Sequence, residues 1–248
     1  MTNTNAYPGW RSLLFIPVHI DKFVDKAHTR GADAYILDLE DSVPLAEKEI
    51  GRQKVKEAAK KVSVDGASAL VRINLELEMA LLDIEASIDP NVAAIVVPKV
   101  ENTGQISAIA GAIDRQEQKL GMETGHTKLI AMIESVEALP HLDNIALSHS
   151  IADYSDLNRF EATIELAKQM GFTGALCIHP VQARVLNEKL TPSEQEVSHA
   201  RGLIEAFDQG MAEGRGAVEY GGKMIDLPVV ISARKLVARY EHLQKNAK

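Results

Sequence analysis

Residues 34–41 read AYILDLED, a short apolar run that stops abruptly at Asp38, Glu40 and Asp41. A continuous apolar run of this length is what a strand buried on both faces looks like. The same design recurs in LLFIPV (13–18), ALVRIN (69–74), AAIVVPKVE (93–101), KLIAMIE (128–134) and GALCIHP (174–180). These runs close on Arg72 and Asn74, Lys99 and Glu101, Glu134, and His179. Charged groups where buried parallel strands end are the arrangement of a (β/α)8 barrel, which keeps its chemistry at the C-terminal rim. Core packing alone does not call for so many, and the pattern implies an enzyme with a carboxylate-rich site.

Helix-like segments alternate with the runs. DKFVDKAHTRG (21–31) ends on Gly31, a plausible C-cap. AEKEIGRQKVKEAAKKV (46–62) is rich in helix formers and in Lys/Glu neighbours at helical spacing, with Pro44 near its start. ALLDIEASI, NTGQISAIAGAIDRQEQKL and SVEALPHLDNIAL follow the next three strands. This βαβα order implies a parallel sheet with helical crossovers.

The rhythm then breaks. Strand candidates begin near residues 12, 34, 69, 93 and 128, but the next begins near 174, with two helices in the interval. Six strands would leave an eight-stranded barrel open by two, with exposed edges. The spacing suggests that a β–α–β segment of roughly 40–50 residues, the size of a βα repeat, is absent near 148–151. An open six-stranded sheet is the alternative. Residues 1–190 are assigned to the barrel and 191–248 to a C-terminal appendage. That appendage begins with a helix capped by Thr191, with Pro192 first and Glu194 third. A glycine-flanked hairpin, GRGAVEYGGKMIDLP, and a terminal amphipathic helix follow.

The 248 residues are 46% hydrophobic and 25% charged, an ordinary globular balance. A net charge of −8 without a basic tract argues against nucleic-acid binding. The lone Cys177, the absence of a signal-like start and the lack of an 18-residue apolar stretch suggest a cytoplasmic protein without membrane spans.

Among the rim candidates, Asp38 and Glu40 point to one side of their strand end, with Asp41 at the turn. They could hold metal-bound water or a cationic partner, or merely cap the following helix. Glu134 is the best single candidate for a hard-cation ligand such as Mg²⁺; a buried ion pair is its structural alternative. Arg72 and Asn74 leave the same face, and the guanidinium fork suits a carboxylate or an enolate oxygen; an ion pair with Glu40 or Glu134 closing the barrel mouth is its structural alternative. Lys99 reads as a rim ion pair more readily than as a Schiff-base amine. His179 in CIHP suits either acid/base work or a turn.

RSLLFIP, LDLEDSV followed by Lys48 and Arg52, RIN, VPKVE, IES, GFTGALCIHPVQ and MIDLP occur together and in order from Arg11 to about Ala233. In this the chain resembles the citrate lyase β-subunit-like family of the wider HpcH/HpaI aldolase group. The resemblance implies a (β/α)8 barrel, a homotrimer or larger oligomer, and Mg²⁺-dependent cleavage of a β-hydroxyacyl thioester. The acyl group would be citryl, malyl or citramalyl, on CoA or an acyl carrier protein. By resemblance Glu134 is the metal-binding glutamate, Arg72 holds substrate near the metal, and Arg11, Glu40 and Asp41 belong to the pocket rim. Asp226 in MIDLP matches an acid that enters a neighbouring protomer's site. The family's second metal-binding carboxylate, in a G-x-x-D strand end, has no counterpart here; Asp153 and Asp156 do not take its place. The alternatives are a pyruvate-releasing aldolase acting on a free 4-hydroxy-2-oxo acid, and a non-catalytic subunit of a lyase complex.

Overall fold

The computed structural model describes residues 9–134, 157–215 and 217–246. All six apolar runs form strands: β1 (Ser12–Pro17), β2 (Ala34–Asp38), β3 (Ser68–Arg72), β4 (Val92–Val97), β5 (Lys128–Ala131) and β6 (Ala175–Cys177). They pair in parallel in the order β5-β4-β3-β2-β1-β6. The helices of this part are α1 (Asp21–Val24), α2 (Lys48–Val62), α3 (Leu77–Ser87), α4 (Thr103–Lys119), α5 (Leu157–Gln169) and α6 (Pro180–Leu190).

Alternation along the strands explains the unbroken apolar runs. Leu13, Ala34, Ile36, Leu70, Ala94, Val96, Met132 and Leu176 form one core cluster with Trp10. The residues between them, including Leu14, Tyr35, Leu37, Val71, Ile95 and Cys177, are equally buried on the other face. Gly174 immediately precedes β6, and a Cβ there would lie 2.2 Å from the Trp10 carbonyl oxygen. Only glycine lets β6 lie this close to the start of β1.

Among the described residues the sheet is a half-barrel of six strands, and they do not form the closed eight-stranded barrel that the sequence suggested. β6 pairs with β1, the position of a barrel's last strand, and among the described residues no strand lies between β5 and β6. The suggested junction at 148–151, the helix expected over 135–147, and Asp153 and Asp156 lie outside the described residues.

The chain divides into two compact units, residues 10–187 and a C-terminal unit from residue 188. The second contains α7 (Glu194–Ala212), the hairpin β7 (Val218–Tyr220) and β8 (Lys223–Ile225), and α8 (Leu227–Asn246). Its core comprises Ala200, Leu203, Phe207, Val218, Ile225, Val230 and Ala233. The cap of α7 is Ser193 rather than Thr191. Ser193 Oγ accepts the Glu196 N–H (3.1 Å) and Glu196 Oε2 accepts the Ser193 N–H (2.7 Å). Two overlapping boxes have the same spacing, and the second one forms. No helix among the described residues is long and apolar enough to cross a membrane.

Candidate active site

Asp38 and Arg72 are direct partners on the last rung between β2 and β3. Both continue the alternation of Ile36 and Leu70, so both side chains emerge above the inner core. Arg72 Nε and Nη2 donate to the two Asp38 carboxylate oxygens, each at 2.7 Å. The guanidinium lies over the Phe15 ring of β1, 4.5 Å from its centroid. Asp38 also accepts the N–H groups of Glu40 (2.9 Å) and Ser42 (3.0 Å), folding the chain into a tight turn. Burial pushes the Asp38 carboxyl up, but the Arg72 guanidinium outweighs it and leaves the pKa below the usual carboxylate range.

That turn aims Glu40 back at Arg72. Glu40 Oε2 lies 3.0 Å from Arg72 Nη1, an ionic contact without hydrogen-bond alignment, so this buried oxygen has no donor. Its Oε1 accepts the Lys99 ammonium at 2.7 Å. Burial holds the Glu40 carboxyl above its usual range despite Lys99 and Arg72. Asp41 is exposed, 3.4 Å from Lys99 Nζ and 3.7 Å from Arg72 Nη1; contacts of this kind contribute little to stability. Lys99 adopts φ 49°, a left-handed conformation uncommon outside glycine. Here it turns the backbone N–H onto Glu134 Oε2 (2.8 Å) while the ammonium reaches Glu40.

Glu134 follows Ile130 and Met132 in the inward alternation beyond β5. It is exposed, and its second oxygen meets no donor among the described residues. No three His, Cys, Asp or Glu side chains converge as a metal cage among those residues. A hard cation such as Mg²⁺ takes one or two carboxylates and completes its shell with water and substrate. Glu134 fits such an ion as a single protein ligand. Arg72 keeps N–H groups beyond those that Asp38 occupies, with Glu40 and Asp41 near Nη1, and Glu134 follows β5, two strands along the same rim.

Other candidates lie elsewhere. Asn74 is buried and saturated: it donates to Asp83 and the Leu39 carbonyl and accepts from Lys48. Arg11 precedes β1, at the opposite end of the strands from the rim, with its guanidinium taken by Asp33 at 2.6 and 2.8 Å. The structure does not bring it to the cluster. His179 starts α6, its Nδ1 accepting the Val181 N–H at 3.3 Å. Asp226 is exposed and stands ahead of α8, its Oδ1 accepting the Val229 N–H at 3.3 Å. Phe15 and Asp83 were not anticipated. An acid inside the apolar ALLDIEAS helix was a signal for the second; nothing distinguished Phe15 from its apolar neighbours.

The profile of the HpcH/HpaI aldolase/citrate lyase family matches residues 11–153. The citrate lyase subunit beta of Escherichia coli K12 is 31% identical over 281 residues, covering 93% of each chain. A (3S)-malyl-CoA thioesterase of Cereibacter sphaeroides is 28% identical over 274 residues, covering 95% of this chain and 96% of the other. The fold is similar to the crystal structure of CitE from Mycobacterium tuberculosis in complex with magnesium, acetoacetate and coenzyme A. That match has a TM-score of 0.63, 20% identity, and covers 93% of this chain and 97% of the other. A Burkholderia xenovorans citrate lyase structure superimposes with a TM-score of 0.69 at 12% identity, covering 94% and 92%.

The Asp38–Arg72 pair has a pH signature. A carboxyl whose folded pKa is depressed contributes stability that is present above its unfolded value, about 3.9, and is lost as pH falls through the folded one. Asp38→Asn should therefore destabilise the protein at neutral pH by about 3–5 kcal/mol, because a buried guanidinium loses its partner. Denaturant melts of wild type and variant should converge as pH falls below about 4. A constant difference across that range would separate the loss from the charge of Asp38.

Proposed function

The chain belongs to the HpcH/HpaI aldolase/citrate lyase family and is a carbon–carbon lyase; from that premise we propose that it cleaves a β-hydroxyacyl thioester of the malyl, citramalyl or citryl type, on CoA or an acyl carrier protein, into an acetyl thioester and a 2-oxo acid. One observation carries this reading: Arg72, fixed along one edge by Asp38, stands at the same strand-end rim as the open carboxylate of Glu134. The malyl-CoA thioesterase and citrate lyase relatives each align over more than nine-tenths of the chain, C-terminal unit included. This favours the thioester substrate over a free 4-hydroxy-2-oxo acid.

Glu134 would hold Mg²⁺, which when bound supplies positive charge to the oxygens of the small-acid half. Arg72 binds that half's carboxylate and stabilises the oxyanion that forms. In cleavage the β-hydroxyl loses its proton and its oxygen becomes the carbonyl of the 2-oxo acid. The bond between the α- and β-carbons breaks, and its electron pair enters the thioester enolate. A proton delivered to the α-carbon completes the acetyl thioester. Asp226 from a neighbouring protomer of a homotrimer or larger oligomer is the acid/base assigned to these transfers.

The reading includes a longer chain. A match over 281 residues that takes in 93% of a 248-residue chain uses about 231 of its residues, leaving about 50 positions of the relative without a counterpart. The gap in the strand order between β5 and β6 agrees with a two-strand segment there. That segment would close the barrel and bring the second carboxylate ligand.

Three outcomes follow from this reading. Wild-type protein should cleave (3S)-malyl-CoA or citryl-CoA only with Mg²⁺, and both Glu134→Gln and Arg72→Lys should lose about 10²-fold or more in kcat while remaining folded. Full activity of Glu134→Gln at limiting Mg²⁺ would remove it as a ligand. Mixed oligomers of Asp226→Asn and Glu134→Gln protomers, each inactive alone, should recover part of the activity by pairing intact groups across interfaces. Background activity in verified mixed oligomers would rule out action in trans. Protein from its native source should have a mass several kilodaltons above 27.0 kDa, with extra peptides mapping near residues 148–151. A map that runs continuously through the sequence would establish the short form.

A further inference from the structure

Beneath the rim lies a chain of polar contacts that the proposed reaction does not use. The ammonium of Lys48, at the start of α2, donates to the carbonyl oxygens of Leu39 (2.6 Å) and Glu40 (2.7 Å) and to Asn74 Oδ1 (2.7 Å). All three of its N–H groups are thereby used. Asn74 is held in turn by Asp83 of α3, which is completely buried. Asp83 Oδ2 accepts both the Asn74 backbone N–H (2.8 Å) and its Nδ2 (2.7 Å), while Asp83 Oδ1 accepts Arg52 Nε (2.7 Å). Burial draws the Lys48 pKa below its ordinary range although Asp38, Asp83, Glu40 and Asp41 all act to raise it.

The backbone is shaped to admit this arrangement. A Cβ on Gly51 would lie 2.9 Å from Leu39 Cδ2 and 3.3 Å from Val18 Cγ1, so glycine lets α2 lie close against the end of β2. Lys48 stands one helical turn before it. The carbonyls that it grips belong to the two residues that carry the chain from Asp38 to Glu40, where the strand ladder has ended.

We infer that Lys48, Asn74 and Asp83 form a positioning relay: they fix the Leu39–Glu40 backbone from below, so that the Glu40 carboxylate, with its donor-free oxygen, is held against Arg72 and Lys99. None of the three touches substrate. The inference rests on the rim cluster being the reaction site. Glu40 in turn meets Arg72, the group assigned to the substrate, and displacement of such a group by about 1 Å costs on the order of 10²-fold in rate. A relay of this kind therefore acts on kcat.

The test uses cleavage of (3S)-malyl-CoA or citryl-CoA, whichever the wild type turns over, well below every variant's melting temperature. Lys48→Met should lower kcat about 10–100-fold with little change in KM, while its circular dichroism stays that of the wild type. Lys48→Arg keeps the charge but cannot converge three N–H groups on one point; it should show the same kcat defect and guards against misfolding of the methionine variant. Asn74→Asp sets two carboxylates against each other and should be as impaired. A folded Lys48→Met or Lys48→Arg with wild-type kcat would overturn the relay. If those variants are normal while Arg72→Lys is impaired, the relay alone falls. If Arg72→Lys is also normal, the reading of the rim falls with it.

Discussion

The rim depends on a single desolvated contact, the two-pronged bond between Asp38 and Arg72. A guanidinium facing the inside of a parallel sheet has little water to solvate it, and a buried lone carboxylate there would be driven to protonate. Together, on the last rung of β2 and β3, each answers the other's burial. The arrangement costs more desolvation than an apolar pair of the same volume. What it provides is orientation. Phe15 below and Asp38 at the edge fix the plane of the guanidinium. Glu40, Asp41 and Lys99 are arranged about that plane.

Much of this was legible because the inner face of a parallel sheet obeys a period of two. Leu13, Ile36, Leu70, Val96 and Met132 fall on that face. Asp38, Arg72 and Glu134 are the next polar residues on the same alternation. Reading the apolar runs to their ends therefore found the site as well as the strands. The family resemblance then supplied roles that alternation could not.

What was not legible has particular causes. The rim ion pair read for Lys99 forms, with Glu40 and Asp41, but Lys99 lies off the inward alternation and no run of residues announces its left-handed φ. Asn74 has the right alternation but is captured by Asp83 from α3, a partner nine residues on whose approach depends on helix packing. Arg11 shares the alternation of Leu13 at the wrong end of the strand, where Asp33 claims it. A pattern of alternation carries the face of a residue but not its height along the strand or the competitors for its hydrogen bonds.

The join between β6 and β1 has a consequence for how the chain is made. Cys177 and Leu13 meet across the sheet although 164 residues separate them, and closing so distant a contact is entropically slow. During synthesis at about 5–20 residues per second, the outer edge of β1 emerges roughly ten to thirty seconds before its partner does. Throughout that interval an apolar strand with unpaired N–H and C=O groups is open to any other nascent chain. Vectorial synthesis thus leaves this edge of the first strand unprotected until β6 has been made.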